Sequence, residues 1–319
     1  MKLVGHEQPR ATIEAAWNSG KLHHAWLLTG PRGVGKRTFA DAAARMVLSG
    51  SPDFKSADAT EGAAKYDAGA HPDFRGLTRR MNDKTGRLYD EIPAADAREI
   101  GHMLGQHPSL SAWRVVTIDA ACELNRTAAN ALLKNIEEPP EKTVFFLICH
   151  RPGRLLATIR SRARTLAFRP LSAPEVEDVL VRELEAPEDL PALVDLAGGV
   201  PGRAIRFAGL EIAPLLSALK SIARADNTTA RQLSLKLGQQ FGRKEARPRY
   251  EAFLELVPEL LADAAKAASP ERLDAALSLW EEASALAATA QPKTLDPSLV
   301  VFQLARLVGQ SDFERARAA

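Results

Sequence analysis

The chain opens with short apolar runs separated by segments of helical period, and this alternation persists through its first half. Ala25–Thr29 reads as a short buried strand, followed by a Gly-rich turn and a helix with Phe39, Ala43, Met46 and Val47 on one face. Residues 115–118 and 144–149 are β-branched and aromatic runs of the kind that fill the centre of a covered parallel sheet, and 165–168 reads as a fourth strand. Between them, Ala129, Leu132, Leu133 and Ile136 form an apolar helical stripe that Pro139-Pro140 halts. Residues 49–70 are small and polar and read as a loop marked by Ser49-Gly50-Ser51-Pro52. Strands separated by helices imply an α/β layered domain.

The pattern changes near Pro170. Ser172 and Glu175 have the spacing of a capping box. A small helical unit runs to about Ala208, and Pro214 opens a longer region with no strand signal. Its last helix begins at Asp296-Pro297, an N-cap followed by proline at the first helical position, with Val300, Leu304, Leu307 and Val308 on one face. The expected fold class is therefore α/β followed by all-α.

Composition narrows the functional classes. The 319 residues hold 42 Lys and Arg against 40 Asp and Glu, so any nucleic-acid contact must come from local clusters rather than overall charge. One such cluster exists: no acidic residue falls between Lys142 and Pro174, while Arg151, Arg154, Arg160, Arg162, Arg164 and Arg169 accumulate. Such a cluster suits phosphate, as on DNA. The two cysteines, Cys122 and Cys149, lack the spacing of a disulfide framework or a zinc module, so no zinc is expected. The N-terminus lacks a signal-peptide core and no apolar run would span a bilayer, which points to a cytoplasmic protein without a membrane partner.

The segment Gly30-Pro31-Arg32-Gly33-Val34-Gly35-Lys36 follows a strand and opens a helix, the context a phosphate-binding loop needs. Glycines let backbone N–H groups close round an anion, the helix terminus adds positive potential, and Lys36 reaches the outer phosphates. The position that needs a metal-binding hydroxyl holds Arg37. Thr38 comes one residue late, roughly 100° further round the helix. Asp119 ends a strand where a metal-orienting carboxylate belongs, yet the next residue is Ala120, which cannot activate water. At the end of the 144–149 run, Cys149-His150 replaces the usual small hydroxyl or amide residue. Nucleotide binding, of ATP or ADP, survives this reading better than hydrolysis does.

The stretch 124–140, Leu-Asn-Arg-Thr-Ala-Ala-Asn-Ala-Leu-Leu-Lys-Asn-Ile-Glu-Glu-Pro-Pro, resembles the signature of bacterial DNA polymerase III clamp-loader subunits, members of the AAA+ superfamily. Residues 155–162 resemble that family's Ser-Arg-Cys element, with Ala163 at the cysteine position. Gly5-His6 and residues 21–26 match the delta-prime class within it. The likeness is strong over about residues 1–210 and beyond that rests on helical character.

The resemblance implies a RecA-like P-loop domain over 1–169, a small helical lid over 170–210 and a helical collar over 211–319. It implies a hetero-pentamer with gamma/tau and delta subunits that acts on a sliding clamp and primer-template DNA. Arg162 matches the arginine that such a subunit extends in trans to its neighbour's nucleotide, and Arg203 matches the lid's sensor-2 arginine. An interface-packing role for Arg203 stands beside the nucleotide-contacting one. The implied function is that of a stator with little or no ATP turnover. The rivals are a competent motor ATPase of the gamma/tau or DNA-repair type and a nucleotide-dependent adaptor outside replication. Arg37, Ala120 and Cys149 argue against the first, and the 124–140 signature against the second.

Overall fold

The computed structural model describes residues 3–82, 87–89, 91–92, 94–185, 187, 189–210, 212–242, 246–290 and 295–311. The chain divides into two compact units, one of Met1–Glu185 with Val194–Ala204 and the other of Ala186–Leu193 with Ile205–Ala319.

The first unit is built on a five-stranded parallel sheet. Its strands are β1 (Ala25–Thr29), β2 (Phe74–Thr78), β5 (Arg114–Asp119), β6 (Thr143–Cys149) and β7 (Arg164–Ala167), in the spatial order β2-β5-β6-β1-β7. The central strands are buried on both faces, hence their unbroken apolar runs. Along β6, Val144, Phe146 and Ile148 join one core with Trp26, Leu28, Phe39, Met46 and Val47. Phe145, Leu147 and Cys149 join the other, with Val116, Ile118, Leu132 and Ile136. Helices α1 (Glu7–Asn18) and α2 (Lys36–Ser49) supply the first layer; α5 (Ala94–Leu104) and α6 (Arg126–Glu137) supply the second.

Two expectations need correction. Residues 49–70 are not simply a loop, for they include α3 (Phe54–Ala57) and α4 (Glu61–Asp67), capped by Asp53 and Thr60. Their short length leaves no helical period to read, although Phe54, Ala57 and Tyr66 are core residues. The strand β2 was also not anticipated: it is an edge strand in which only Leu77 is buried, so it lacks an apolar run. A two-residue ladder, β3 (Met81–Asn82) with β4 (Arg87–Leu88), follows it.

The remaining caps follow the sequence. Asn125 accepts from the Ala128 amide at 2.7 Å to start α6. Glu175 accepts from the Ser172 amide at 2.8 Å to start α8 (Ala173–Glu183). After α7 (Ala157–Arg160) and β7, no strand occurs among the described residues. The short helices α9 (Leu190–Ala197) and α10 (Pro201–Phe207) lead into α11 (Ile212–Arg224), α12 (Asn227–Gln239), α13 (Arg247–Lys266), α14 (Leu273–Ala290) and α15 (Pro297–Gly309). In this second unit α12 packs on α15 and α13 on α14, and Leu219, Leu237, Phe253, Leu260 and Leu304 are buried. Asp296 caps α15 through the Leu299 amide at 2.9 Å. No helix among the described residues is long and apolar enough to cross a membrane.

Candidate nucleotide site and adjoining arginines

The loop after β1 is shaped by backbone crowding. Gly30 has φ of 144°, and a Cβ there would lie 2.4 Å from the Phe168 carbonyl oxygen, so only glycine lets the chain leave the sheet at this point. Gly33 and Gly35 also take positive φ, and Gly35 caps the start of α2. Lys36, the first residue of α2, is buried, and its ammonium donates to the carbonyls of Gly30 at 2.7 Å and Pro31 at 2.5 Å. Burial lowers its pKa to about 8, opposed in part by Asp119. A phosphate entering the loop would replace those two neutral acceptors with an anionic one, which a desolvated ammonium prefers.

Two segments distant in sequence brace the loop. His6 Nε2 lies 2.8 Å from the Val34 carbonyl oxygen, which can only accept, so this nitrogen carries the proton. Burial holds the His6 imidazole below its ordinary pKa, and its ring meets Phe168 edge-on at 4.8 Å. On the other side, the Gly202 amide donates to the Gly33 carbonyl at 3.0 Å. A Cβ on Gly202 would lie 2.7 Å from Gly33 Cα, so the approach depends on the absence of a side chain. Arg203 therefore starts one residue from the loop, with its amide on the Val200 carbonyl at 2.9 Å. The Gly5-His6 pair gave a family resemblance in the sequence but no hint of this bracing role.

The residues that would serve chemistry are differently furnished. A magnesium ion at such a loop would be held by a hydroxyl at position 37 and by the Asp119 carboxylate. Here Arg37 Nε donates to Asp41 at 2.8 and 3.1 Å, and Arg37 Nη1 lies 3.7 Å from Asp119. Asp41 is itself held by the Tyr66 hydroxyl at 2.6 Å, from helix α4. A guanidinium thus faces the carboxylate that would hold the ion, and this donor set does not fit magnesium. Thr38 lies one residue further along α2 and is half-buried. Ala120 presents a buried methyl. The next carboxylate, Glu123, is taken by Arg79 at 2.7 Å and lies 3.5 Å from His150 Nε2. Hydrogen bonding with Cys149 and His150 holds the Cys122 thiol below its ordinary pKa, while Cys122 and burial push Cys149 up. Among the described residues no cluster of three or more His, Cys, Asp or Glu is placed to hold a metal.

Sequence reasoning missed Asp41 and Tyr66. The i,i+4 spacing of Arg37 and Asp41 on α2 was a usable signal for the first. Tyr66 had none, because its helix was read as loop.

Arg162 belongs to a different surface. Its Nη2 lies 3.0 Å from Glu137 at the end of α6, and its Nη1 donates to the Thr158 carbonyl at 3.0 Å. The pair borders a groove of about 540 Å³ lined also by His23, His24, Ser161 and Arg164. His23 accepts from the Ala25 amide at 3.1 Å and stacks on His24, a strand-end packing role. The six arginines of the basic cluster are all exposed, and Arg164 lies over the Trp26 ring.

The sheet order, the loop and the 124–140 helix together pose a family question that comparison with known proteins answers. Residues 5–172 match the model of the family described as DNA polymerase III, delta subunit. The chain belongs to that family. Within it, the chain is 35% identical over 195 residues to the DNA polymerase III subunit delta' of Escherichia coli K12, covering 60% of this chain and 57% of the relative. It is 38% identical over 189 residues to the subunit delta' of Pseudomonas aeruginosa PAO1, covering 58% and 56%. A DNA polymerase III subunit gamma/tau from Mycobacterium bovis is 30% identical over 190 residues, covering 58% of this chain and 31% of its own. The matched region spans a little over half the length of the two delta' relatives. The family match over residues 5–172 contains the loop, Asp119, helix α6 and Arg162, and it lies within the first unit.

Proposed function

We propose that this chain is a delta-prime-type subunit of a DNA polymerase III clamp loader, a cytoplasmic stator that binds nucleotide but hardly turns it over. Its partners in this reading are gamma/tau and delta subunits in a hetero-pentamer, the sliding clamp and primer-template DNA. The observation that carries it is the contrast inside one site: the phosphate loop and Lys36 are fully built, while a guanidinium faces Asp119 and a methyl group follows it. Such a site can hold phosphate but has lost both the metal hydroxyl and the water-activating carboxylate. Arg203 approaches the same nucleotide from the lid, residues 170–210, and residues 211–319 form the collar. Arg162 acts on the neighbour: an exposed guanidinium can donate two hydrogen bonds to a phosphate that gains charge in the transition state.

The test is steady-state ATP hydrolysis by the purified chain with Mg²⁺, beside reconstitution with gamma/tau and delta. Expected are negligible turnover alone and a normal clamp-loading rate in the complex. Turnover like that of a competent motor, abolished by Lys36→Ala, would establish the motor reading instead. Failure to enter the complex would refute the clamp-loader assignment.

A further inference from the structure

The disagreement between this site and magnesium has a consequence for what it binds, one that rests on the nucleotide-site part of the proposed function. The geometry points to Arg37 as a built-in replacement for the divalent cation, so that this site holds a nucleoside di- or triphosphate without metal. Three features carry this. Arg37 is the second residue of α2, so its side chain leaves the helix beside the loop that would wrap the phosphates. Its Nε is fixed by both oxygens of Asp41, and Asp41 is fixed in turn by Tyr66, so the guanidinium is positioned rather than swinging. Its Nη1 lies 3.7 Å from Asp119, the carboxylate that would hold a divalent ion.

The electrostatics agree. In an ordinary site of this fold the carboxylate attracts the ion, and the ion offsets phosphate charge. Here Asp119 is already balanced by a cation that never loses its proton. A divalent ion placed beside Asp119 would meet the Arg37 charge within a few ångströms, whereas phosphate oxygens would meet Lys36 and Arg37 together. The guanidinium's planar donors suit phosphate oxygens, and it needs no water shell removed from a metal to make those bonds. Asp119 attracts both cations, the Lys36 ammonium and the Arg37 guanidinium.

The experiment is a titration of the full chain with a fluorescent ADP, the N-methylanthraniloyl derivative, in Mg²⁺ and in excess EDTA. The expected wild-type dissociation constants agree within about threefold, whereas Arg37→Thr binds at least about tenfold more weakly in EDTA than in Mg²⁺. Mn²⁺ electron paramagnetic resonance gives a second readout: ADP recruits bound Mn²⁺ to Arg37→Thr and not to wild type. Arg37→Lys keeps a cation, and its metal independence is expected to persist. A wild-type affinity that falls tenfold or more in EDTA overturns this inference while leaving the nucleotide site standing. Absence of binding in both buffers overturns the inference and the nucleotide-site reading together. Equal metal independence in Arg37→Thr overturns the role given to Arg37.

Discussion

Arg162 and Glu137 face each other at 3.0 Å across the ends of α7 and α6, both about two-fifths exposed. An ion pair this open to water contributes about 0.2–1 kcal/mol, so it is a weak reason to keep either residue for stability. It does, however, orient the guanidinium at the mouth of a groove, with Nη1 tethered to the Thr158 carbonyl. Orientation without burial suits the trans role proposed for Arg162.

Truncating Arg162 should therefore separate assembly from catalysis. Arg162→Ala is expected to fold, with stability changed by less than about half a kcal/mol, and to join the complex. The complex's clamp- and DNA-stimulated ATPase should fall, since a trans arginine is worth roughly 10³–10⁵ at the site it serves. The bulk loss is partial where the other motor sites fire independently. Arg162→Lys should rescue little, because lysine lacks the planar fork. Glu137→Ala removes the same ion pair but should retain most activity; equal losses in Arg162→Ala and Glu137→Ala would mark the pair as merely structural.

Lys36 should make phosphate binding pH-dependent. Its pKa is lowered to about 8, so it is mostly charged at pH 7 and mostly neutral at pH 9. Affinity for ADP should then weaken about tenfold between those pH values, with proton uptake on binding near pH 8 as phosphate restores the charge. Calorimetry in buffers of different ionisation enthalpy would register the uptake. Lys36→Met should bind weakly with no such slope, and a flat wild-type profile would remove Lys36 from the phosphate contact.

The depth to which the sequence could be read varies from place to place. Central strands declare themselves, because burial on both faces demands runs such as Val144 to Cys149. The edge strand β2 does not, since Arg75 and Gly76 face solvent and only Leu77 needs to be apolar. The loop glycines and Lys36 were legible from local spacing. Their bracing by His6 and Gly202 was not, because both arrive through long-range packing that no short window contains. Asp41 lay within reach of an i,i+4 reading, and Tyr66 was hidden by a helix too short to show a period.

Asp73 anchors the turn that enters β5. Its carboxylate accepts from the amides of Ser109, Leu110 and Ser111 at 2.7, 2.8 and 2.7 Å. Burial alone would raise its pKa, but these amides hold it below the ordinary value of 3.8. A depressed carboxyl contributes stability that is present above the unfolded value and lost as pH falls through the folded one. Asp73→Asn should cost about 1–3 kcal/mol at pH 7, because buried amides lose a charged acceptor. Urea denaturation of both proteins should show the gap narrowing on acidification below 3.8; a gap independent of pH would mean the charge contributes nothing.

Gly202 gives the sharpest test of whether helix α10 and the glycine-rich loop act as one structure. Its amide donates to the Gly33 carbonyl at 3.0 Å, and a methyl group at its Cβ position would sit 2.7 Å from Gly33 Cα and 2.9 Å from the Gly33 oxygen. All the atoms it would strike are backbone, so no side chain can turn aside, and either the loop or the helix start must shift. Overpacking of this kind costs about 1–3 kcal/mol. Gly202→Ala should therefore lower the melting temperature and weaken ADP binding several-fold, since a displaced Gly33 misdirects the amides that would surround phosphate. Gly153→Ala is the matching control: its added methyl would meet nothing within 4 Å, and neither property should change. If Gly202→Ala melts earlier but binds ADP as wild type does, the contact serves the fold alone. If both properties match wild type, the loop tolerates the shift and Arg203 gains no position from its neighbour.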